Sequence, residues 1–181
     1  MRDASYDAVV YDLDGTLVHL DVDWGAVASD VLGVYESAAV DVPSRDLWDL
    51  LLAAPEYGLA DPVEAAIAAH ERDGARTATR LATADDVATQ SVPVGVCSLN
   101  CEAACRIALE SHGLLTAVET VVGRDTVETQ KPDPEPLLAA VDGLEATPER
   151  ALFVGDTRRD KLTADRAGTA FAYVDGGPRT Y

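Results

Sequence analysis

Seven side chains in this sequence have the types and the spacing to do chemistry at one place. Asp12 and Asp14 follow an apolar, strand-forming run, Ala8 to Tyr11, and lead into a turn at Gly15. Ser98 and Asn100 close a second run at Val92 to Cys97, Lys131 heads the segment KPDPEP, and Asp156 and Asp160 follow a third run at Ala151 to Val154. Residues two apart on a strand share a face. Asp12 and Asp14 would therefore leave the sheet on the same side if the strand persists, and like charges that close are costly unless offset. Four carboxylates against one lysine would make a net negative pocket. A divalent cation is the simplest remedy, and oxygen-only ligands point to Mg²⁺. Each group also has a plainer reading. The first pair fits a solvated loop, Asp156 and Asp160 have a spacing that 32 acidic residues produce often, and Ser98 fits a helix N-cap. Lys131 resists such a reading, because the chain has only two lysines and keeps this one beside a proline that stiffens its loop.

These groups need elements that bring them to one rim. From Val92 onward short apolar runs alternate with helical patterns: a strand from Val92 to Cys97, a helix from Asn100 to His112, a strand from Val118 to Val122, and a helix capped by Asp133. A strand from Ala151 to Val154, a helix from Asp160 to Ala167 ended by Gly168, and a strand from Ala170 to Val174 follow. With the opening run this makes five strands separated by helices, an α/β pattern that implies a parallel, doubly wound sheet. In such a sheet the binding crevice lies at the carboxyl ends of the strands. Residues 17–90 read as helical throughout, with helix starts at Asp23, Ser44, Asp61 and Thr83 and no strand among them. Trp24, Val27 and Val31 mark the inner stripe of the first helix, Leu47, Trp48 and Leu51 that of the second, and Val63, Ala66 and Ile67 that of the third. The expected division is a core of 1–16 with 91–181 and an inserted helical lid of 17–90. Gly176 to Tyr181 reads as a loose tail.

Composition excludes whole classes of partner. The 181 residues carry 14 basic and 32 acidic side chains, a net charge of −18, which repels nucleic acid and anionic membranes. No run is long and apolar enough to span a bilayer, and the N-terminus runs straight into the aspartate-bearing strand, so a cytoplasmic protein is expected. Such self-repulsion destabilises a compact state in dilute salt, whereas molar salt shortens the screening length to about 3 Å. Abundant Asp, Ala, Val and Thr with almost no Lys looks like proteins of salt-in halophiles, so folding is expected to require high salt. Cys97, Cys101 and Cys105 read as buried packing residues rather than a metal site.

Four motifs in order, DLDGT (Asp12 to Thr16), CSLN (Cys97 to Asn100), KPDPEP (Lys131 to Pro136) and VGDTRRD (Val154 to Asp160), resemble the haloacid dehalogenase superfamily of hydrolases. The resemblance spans Tyr6 to Val174 and is similar to the phosphoglycolate phosphatase-like branch. It implies a Rossmann-like five-stranded core with a helical C1 cap, acting on a small phosphorylated metabolite. By that resemblance Asp12 is the nucleophile and Asp14 the general acid and base. Ser98 holds a phosphoryl oxygen, Thr16 and Asn100 contact the substrate, and Lys131 neutralises charge. Mg²⁺ is held by Asp12, the Asp14 carbonyl and Asp156, with Asp160 orienting a metal water or Lys131.

The residues also prune the superfamily's activities. A halide leaving group needs neither protonation nor metal, so a dehalogenase has little use for Asp14, Asp156 and Asp160. A phosphonate-cleaving relative needs a lid lysine, and residues 17–92 contain none. A sugar-phosphate mutase, or a fold kept without turnover as a binding protein, are the alternatives to a phosphatase. A monomer and a dimer are equally compatible with the sequence. Arg45, His70, Arg72, Arg76 and Arg80 either meet a second anionic group of the substrate or form surface ion pairs with neighbours such as Glu71 and Asp73. Many sequences of the branch carry an Asp-Ser pair where His19 and Leu20 stand, which argues against phosphoglycolate itself.

Overall fold

The computed structural model describes residues 6–174 and Gly177, so the expected tail lies outside the described residues apart from that glycine. Five strands, β1 (Ala8–Tyr11), β4 (Val94–Cys97), β5 (Thr120–Val122), β6 (Ala151–Gly155) and β7 (Ala170–Tyr173), form one sheet in the order β5-β4-β1-β6-β7. Every pairing is parallel, with Val9 opposite both Val94 and Leu152. The helices that separate the strands are α5 (Glu102–Ser111), α6 (Glu135–Asp142) and α7 (Arg158–Ala167). Alternation along β1 sends Val9 and Tyr11 into one apolar cluster with α5, and Ala8 and Val10 into another with α6 and α7. This is the doubly wound arrangement that the strand pattern implies, and its connections leave β1 toward opposite edges of the sheet.

Between β1 and β4 lie α1 (Trp24–Ser37), α2 (Leu47–Ala53), α3 (Ala60–Arg76) and the short α4 (Ala84–Val87). Val27, Val31, Tyr35, Leu50, Val63 and Ile67 close a third apolar cluster among the first three helices. Tyr35 is fully buried and donates its hydroxyl to the Leu50 carbonyl at 2.6 Å. The same α3 sends Ala68 and Ala75 into the cluster beneath the sheet, together with Ala84 and Val87 of α4. Among the described residues no helix is long and apolar enough to cross a membrane.

Several local expectations change. The helical stretch does contain strand: β2 (Val18–His19) pairs antiparallel with β3 (Thr79–Arg80). Two residues are too short to show a period. Helix α2 is capped by Asp46, which takes the Trp48 and Asp49 amides, and Ser44 instead accepts the Asp46 N–H. Pro55 falls in a 3₁₀ turn that continues α2 and ends at Gly58, φ +71°. Helix α3 begins at Ala60 without a side-chain cap, so Asp61 lies inside its first turn. Helix α5 starts at Glu102 rather than Asn100, because Cys101 is extended and gives its N–H to a side chain, Glu71. Pro134, not Asp133, stands at the cap of α6, although Asp133 still accepts the Glu135 N–H.

Candidate active site

The residues that follow β1, β4 and β6 meet on one rim. Asp12 stays tied to the sheet through its N–H, which donates to the Val154 carbonyl at 2.8 Å. Its carboxylate meets Lys131, whose Nζ lies 2.9 Å from Asp12 Oδ1, 2.5 Å from Asp160 Oδ1 and 3.3 Å from the Cys97 carbonyl. Those three bonds use all the donors of an ammonium and fix it in place. Asp160 is fixed in turn by a capping box at the start of α7: Oδ2 accepts the Thr157 N–H at 3.0 Å and hydroxyl at 2.5 Å, while that hydroxyl accepts the Asp160 N–H.

Asp156 is buried immediately after β6. A Cβ built on Gly15 would lie 2.2 Å from Asp156 Oδ2, and Gly15 has φ +83°, so only glycine lets this turn pass over that carboxylate. One carboxylate oxygen each from Asp12, Asp156 and Asp160 lies within 4.8 Å of the other two. A buried, oxygen-only set of this kind fits a hard divalent cation such as Mg²⁺. Burial pushes the Asp12 carboxyl up to about 8 even though Lys131 pulls it down. Lys131 is itself held protonated: burial opposes its charge, but Asp12 and Asp160 outweigh that and raise its pKa. Burial likewise works against Asp160, and Lys131 with Thr157 more than compensates, leaving its carboxyl below the usual range.

Asp14 does not follow Asp12 into this group. The strand stops at Tyr11 and the chain turns at Gly15, so the two carboxylates expected to leave the sheet together separate into different contacts. Asp14 Oδ1 accepts the Leu20 N–H at 2.9 Å and lies 3.5 Å from His19 Nδ1. Burial pushes the Asp14 carboxyl up, with the Leu20 amide pulling against it.

Ser98 and Asn100 form a tight turn beyond β4. The Ser98 hydroxyl accepts the Asn100 N–H and donates to Asn100 Oδ1, both at 3.1 Å. Behind them stands a buried charge network that sequence reasoning missed. Glu71 of α3, expected at the surface, is fully buried and accepts from Asn100 Nδ2, the Cys101 amide and both terminal nitrogens of Arg124. Arg124 also donates to Glu64 through Nε and Nη2 and to the Leu99 carbonyl, so each of its five N–H groups is used. Burial opposes the Arg124 charge, but the two glutamates raise its pKa.

A cavity of about 920 Å³ opens over the rim. Asp12, Asp14, His19, Ser98, Asn100, Lys131, Asp156 and Asp160 line its floor, and Trp24, Trp48, Arg158 and Arg159 line it as well. Thr16 is fully buried with a hydroxyl that has no hydrogen-bond partner, and it is not among the lining residues. Of the basic residues expected to meet a second anionic group, His70 pairs with Asp30, Arg76 with Asp73 and Arg80 with Asp85, and none of these three lines the cavity. They are surface ion pairs. The three cysteines are buried and free, and burial pushes the Cys97 and Cys101 thiols up to about 12 and about 11, as inert packing requires. The two arginines stood in the fourth motif, where the aspartates draw attention; the tryptophans read only as the inner stripe of their helices.

Comparison with known proteins adds the family. A model described as haloacid dehalogenase-like hydrolase matches residues 81–174. The chain is similar to the phosphoglycolate phosphatase of Rhodospirillum rubrum, 33% identical over 192 residues that cover 94% of this chain and 80% of the relative. Among solved structures, it is similar to a HAD-superfamily hydrolase (subfamily IA, variant 1) of Geobacter sulfurreducens, with TM-score 0.61 and 25% identity over 92% of this chain and 88% of the other. It shares its fold with the HAD phosphatase of Thermococcus onnurineus, TM-score 0.63 and 18% identity over 97% and 89% of the two chains. Rim and relatives agree: the chain belongs to the haloacid dehalogenase-like hydrolases.

Proposed function

We propose that this protein is a phosphatase that hydrolyses a small phosphomonoester through an aspartyl phosphate on Asp12. The observation that carries this reading is Lys131, clamped between Asp12 and Asp160 on the floor of a cavity that also exposes Ser98, Asp14 and Asp156. In the first step Asp12 attacks phosphorus, the bond from phosphorus to the ester oxygen breaks, and Asp14 gives a proton to the departing oxygen. In the second, water attacks the aspartyl phosphate while Asp14 takes its proton, releasing phosphate and restoring Asp12. Lys131 balances the charge shared by Asp12 and the phosphoryl group, and Asp160 keeps the ammonium aimed. The Ser98 hydroxyl holds a phosphoryl oxygen, with Asn100 steadied from behind by Glu71. Asp12, Asp156 and the Asp14 carbonyl would hold Mg²⁺, which supplies further charge neutralisation at the phosphoryl group.

Residues 17–90 serve as the lid over the leaving group, with 1–16 and 91–181 as the catalytic core. The lid contributes no lysine, and its cavity-facing residues are apolar or aromatic apart from His19 and Asp46. The test is phosphate release from a panel of small phosphomonoesters, in molar KCl with Mg²⁺, by wild type and Asp12→Asn. Metal-dependent release by wild type alone is expected. Equal release by the variant, or none from any ester, overturns the assignment.

A further inference from the structure

A phosphoryl group bound at Lys131 would take up only the floor of the cavity, and the remaining walls have a chemistry of their own. At about 920 Å³ the space is near the top of the range for small-molecule pockets, about 300–1,000 Å³. A two-carbon leaving group such as glycolate would leave most of it to water. The walls beyond the floor are Leu20, Val22 and Leu47, with Trp24 of α1 and Trp48 of α2, whose ring centroids are 6.1 Å apart at an interplanar angle of 47°. Such rings present flat apolar area at low entropic cost.

Facing them are Arg158 and Arg159, the first two residues of α7. Neither has a carboxylate partner among the described residues, in a chain with 32 acidic side chains against 14 basic ones. The Arg159 guanidinium lies 5.9 Å from the centroid of the Trp48 ring. A guanidinium held against a ring keeps N–H groups free to bind a carboxylate or phosphate in bidentate fashion. Asp46, on the same wall, accepts the amides of Trp48 and Asp49 through Oδ1 as the cap of α2 and forms no ion pair with either arginine. The cavity is thus graded: four carboxylates and Lys131 at the floor, and Arg158, Arg159 and the two aromatic rings farther out, with Asp46 the one carboxylate among them.

We infer that this outer region is a leaving-group subsite for a phosphomonoester with a planar or apolar body and a second anionic group, read by Arg158, Arg159, Trp24 and Trp48. The inference rests on the phosphatase reading for the orientation of the substrate, with the phosphoryl end at Lys131. It names a substrate class larger than phosphoglycolate.

A convenient reporter is built in, because Trp24 and Trp48 are the chain's only two tryptophans and both line the cavity. Tryptophan fluorescence of the Asp12→Asn variant is titrated with 4-carboxyphenyl phosphate, phenyl phosphate and 2-phosphoglycolate, at fixed Mg²⁺ and KCl. Binding of 4-carboxyphenyl phosphate should be about tenfold tighter than that of phenyl phosphate, the size of one charge-assisted hydrogen bond. Adding Arg158→Ala and Arg159→Ala should bring that ratio to about one, with circular dichroism confirming the fold. A ratio near one in the starting variant, a ratio that survives both arginine substitutions, or tighter binding of 2-phosphoglycolate than of 4-carboxyphenyl phosphate overturns the subsite. So does no binding of either aryl ester. Turnover by wild type is read separately. Discriminating binding without turnover removes the phosphatase reading and keeps the subsite, whereas turnover without discrimination does the reverse.

Discussion

Removing Arg124 should do more damage than removing Arg124 and Glu71 together. Glu71 is fully buried and accepts four hydrogen bonds, two of them from Arg124. In Arg124→Met the Glu71 carboxylate keeps only Asn100 and the Cys101 amide, an uncompensated charge inside the protein. Breaking a buried pair this way costs about 3–5 kcal/mol. For a chain of this length each kcal/mol moves Tm by about 2–4 °C, so a fall of about 6–20 °C is expected. Glu71→Leu should cost a similar amount, because it strands the guanidinium, although Glu64 still holds one side of it. With both replaced, no buried charge is orphaned and the residual loss is about 1–3 kcal/mol for the amides that Glu71 served. The two single losses should therefore exceed the double loss by about 3 kcal/mol or more. Urea unfolding followed by circular dichroism in molar KCl measures all four corners of the cycle. Additive losses, or single substitutions costing less than about 1 kcal/mol, would show that the network is solvated and refute the reasoning.

Other expectations concern the rim and the surface. Without metal, the Asp12 carboxyl titrates at about 8 when folded against 3.8 as its ordinary value, so the folded state binds the extra proton between those limits. The stability it contributes is complete below the lower value and lost as pH rises through the upper one. Asp12→Asn should therefore gain on metal-free wild type in Tm as pH goes from 4 to 8, and a constant difference would contradict this. Gly15→Ala forces a side chain at φ +83° against Asp156 and should cost about 1–3 kcal/mol in chemical unfolding. Mg²⁺ titration should show weaker binding by the same variant, and wild-type affinity would mean that Asp156 does not hold the cation. Raising KCl from about 0.1 to about 3 M should raise Tm, since the screening length falls from about 10 Å to below 3 Å. An unchanged Tm would remove the argument from net charge.

The groups on the rim were legible because a parallel sheet sends all its strand ends to one side, so Asp12, Ser98, Lys131 and Asp156 could be compared before any geometry was known. The helices were legible in kind but not in their first residues. Asp46 rather than Ser44 caps α2, because the chain enters the helix two residues later and Ser44 is left to accept the Asp46 N–H, while α6 opens at Pro134 with no side-chain cap and Asp133 accepts the Glu135 N–H from one position further out. Glu71 was misread for a definite reason. Basic residues at helical spacing around it look like surface partners, whereas its true partner is 53 residues away and invisible to any local pattern. Arg158 and Arg159 were hidden by their motif. The separation of Asp14 from Asp12 depends on where the strand stops, and no periodicity marks that point. The strands β2 and β3 escaped notice because pairing across 60 residues, not composition, makes them strands.

The strand order also has a consequence for synthesis and folding. The central strand comes first in the chain, and its neighbours are supplied from around residues 94 and 151. Lys131 reaches Asp12 across 119 residues, and Asp160 arrives later still. Contacts at such separation form only after long loops have closed, which makes them slow and late. A chain not yet extended through β6 presents β1 with an open edge and Asp12 without Asp156 or Asp160. The pairing of β1 on both of its edges and the assembly of the carboxylate group around Asp12 therefore arrive together, ahead of the last strand, β7.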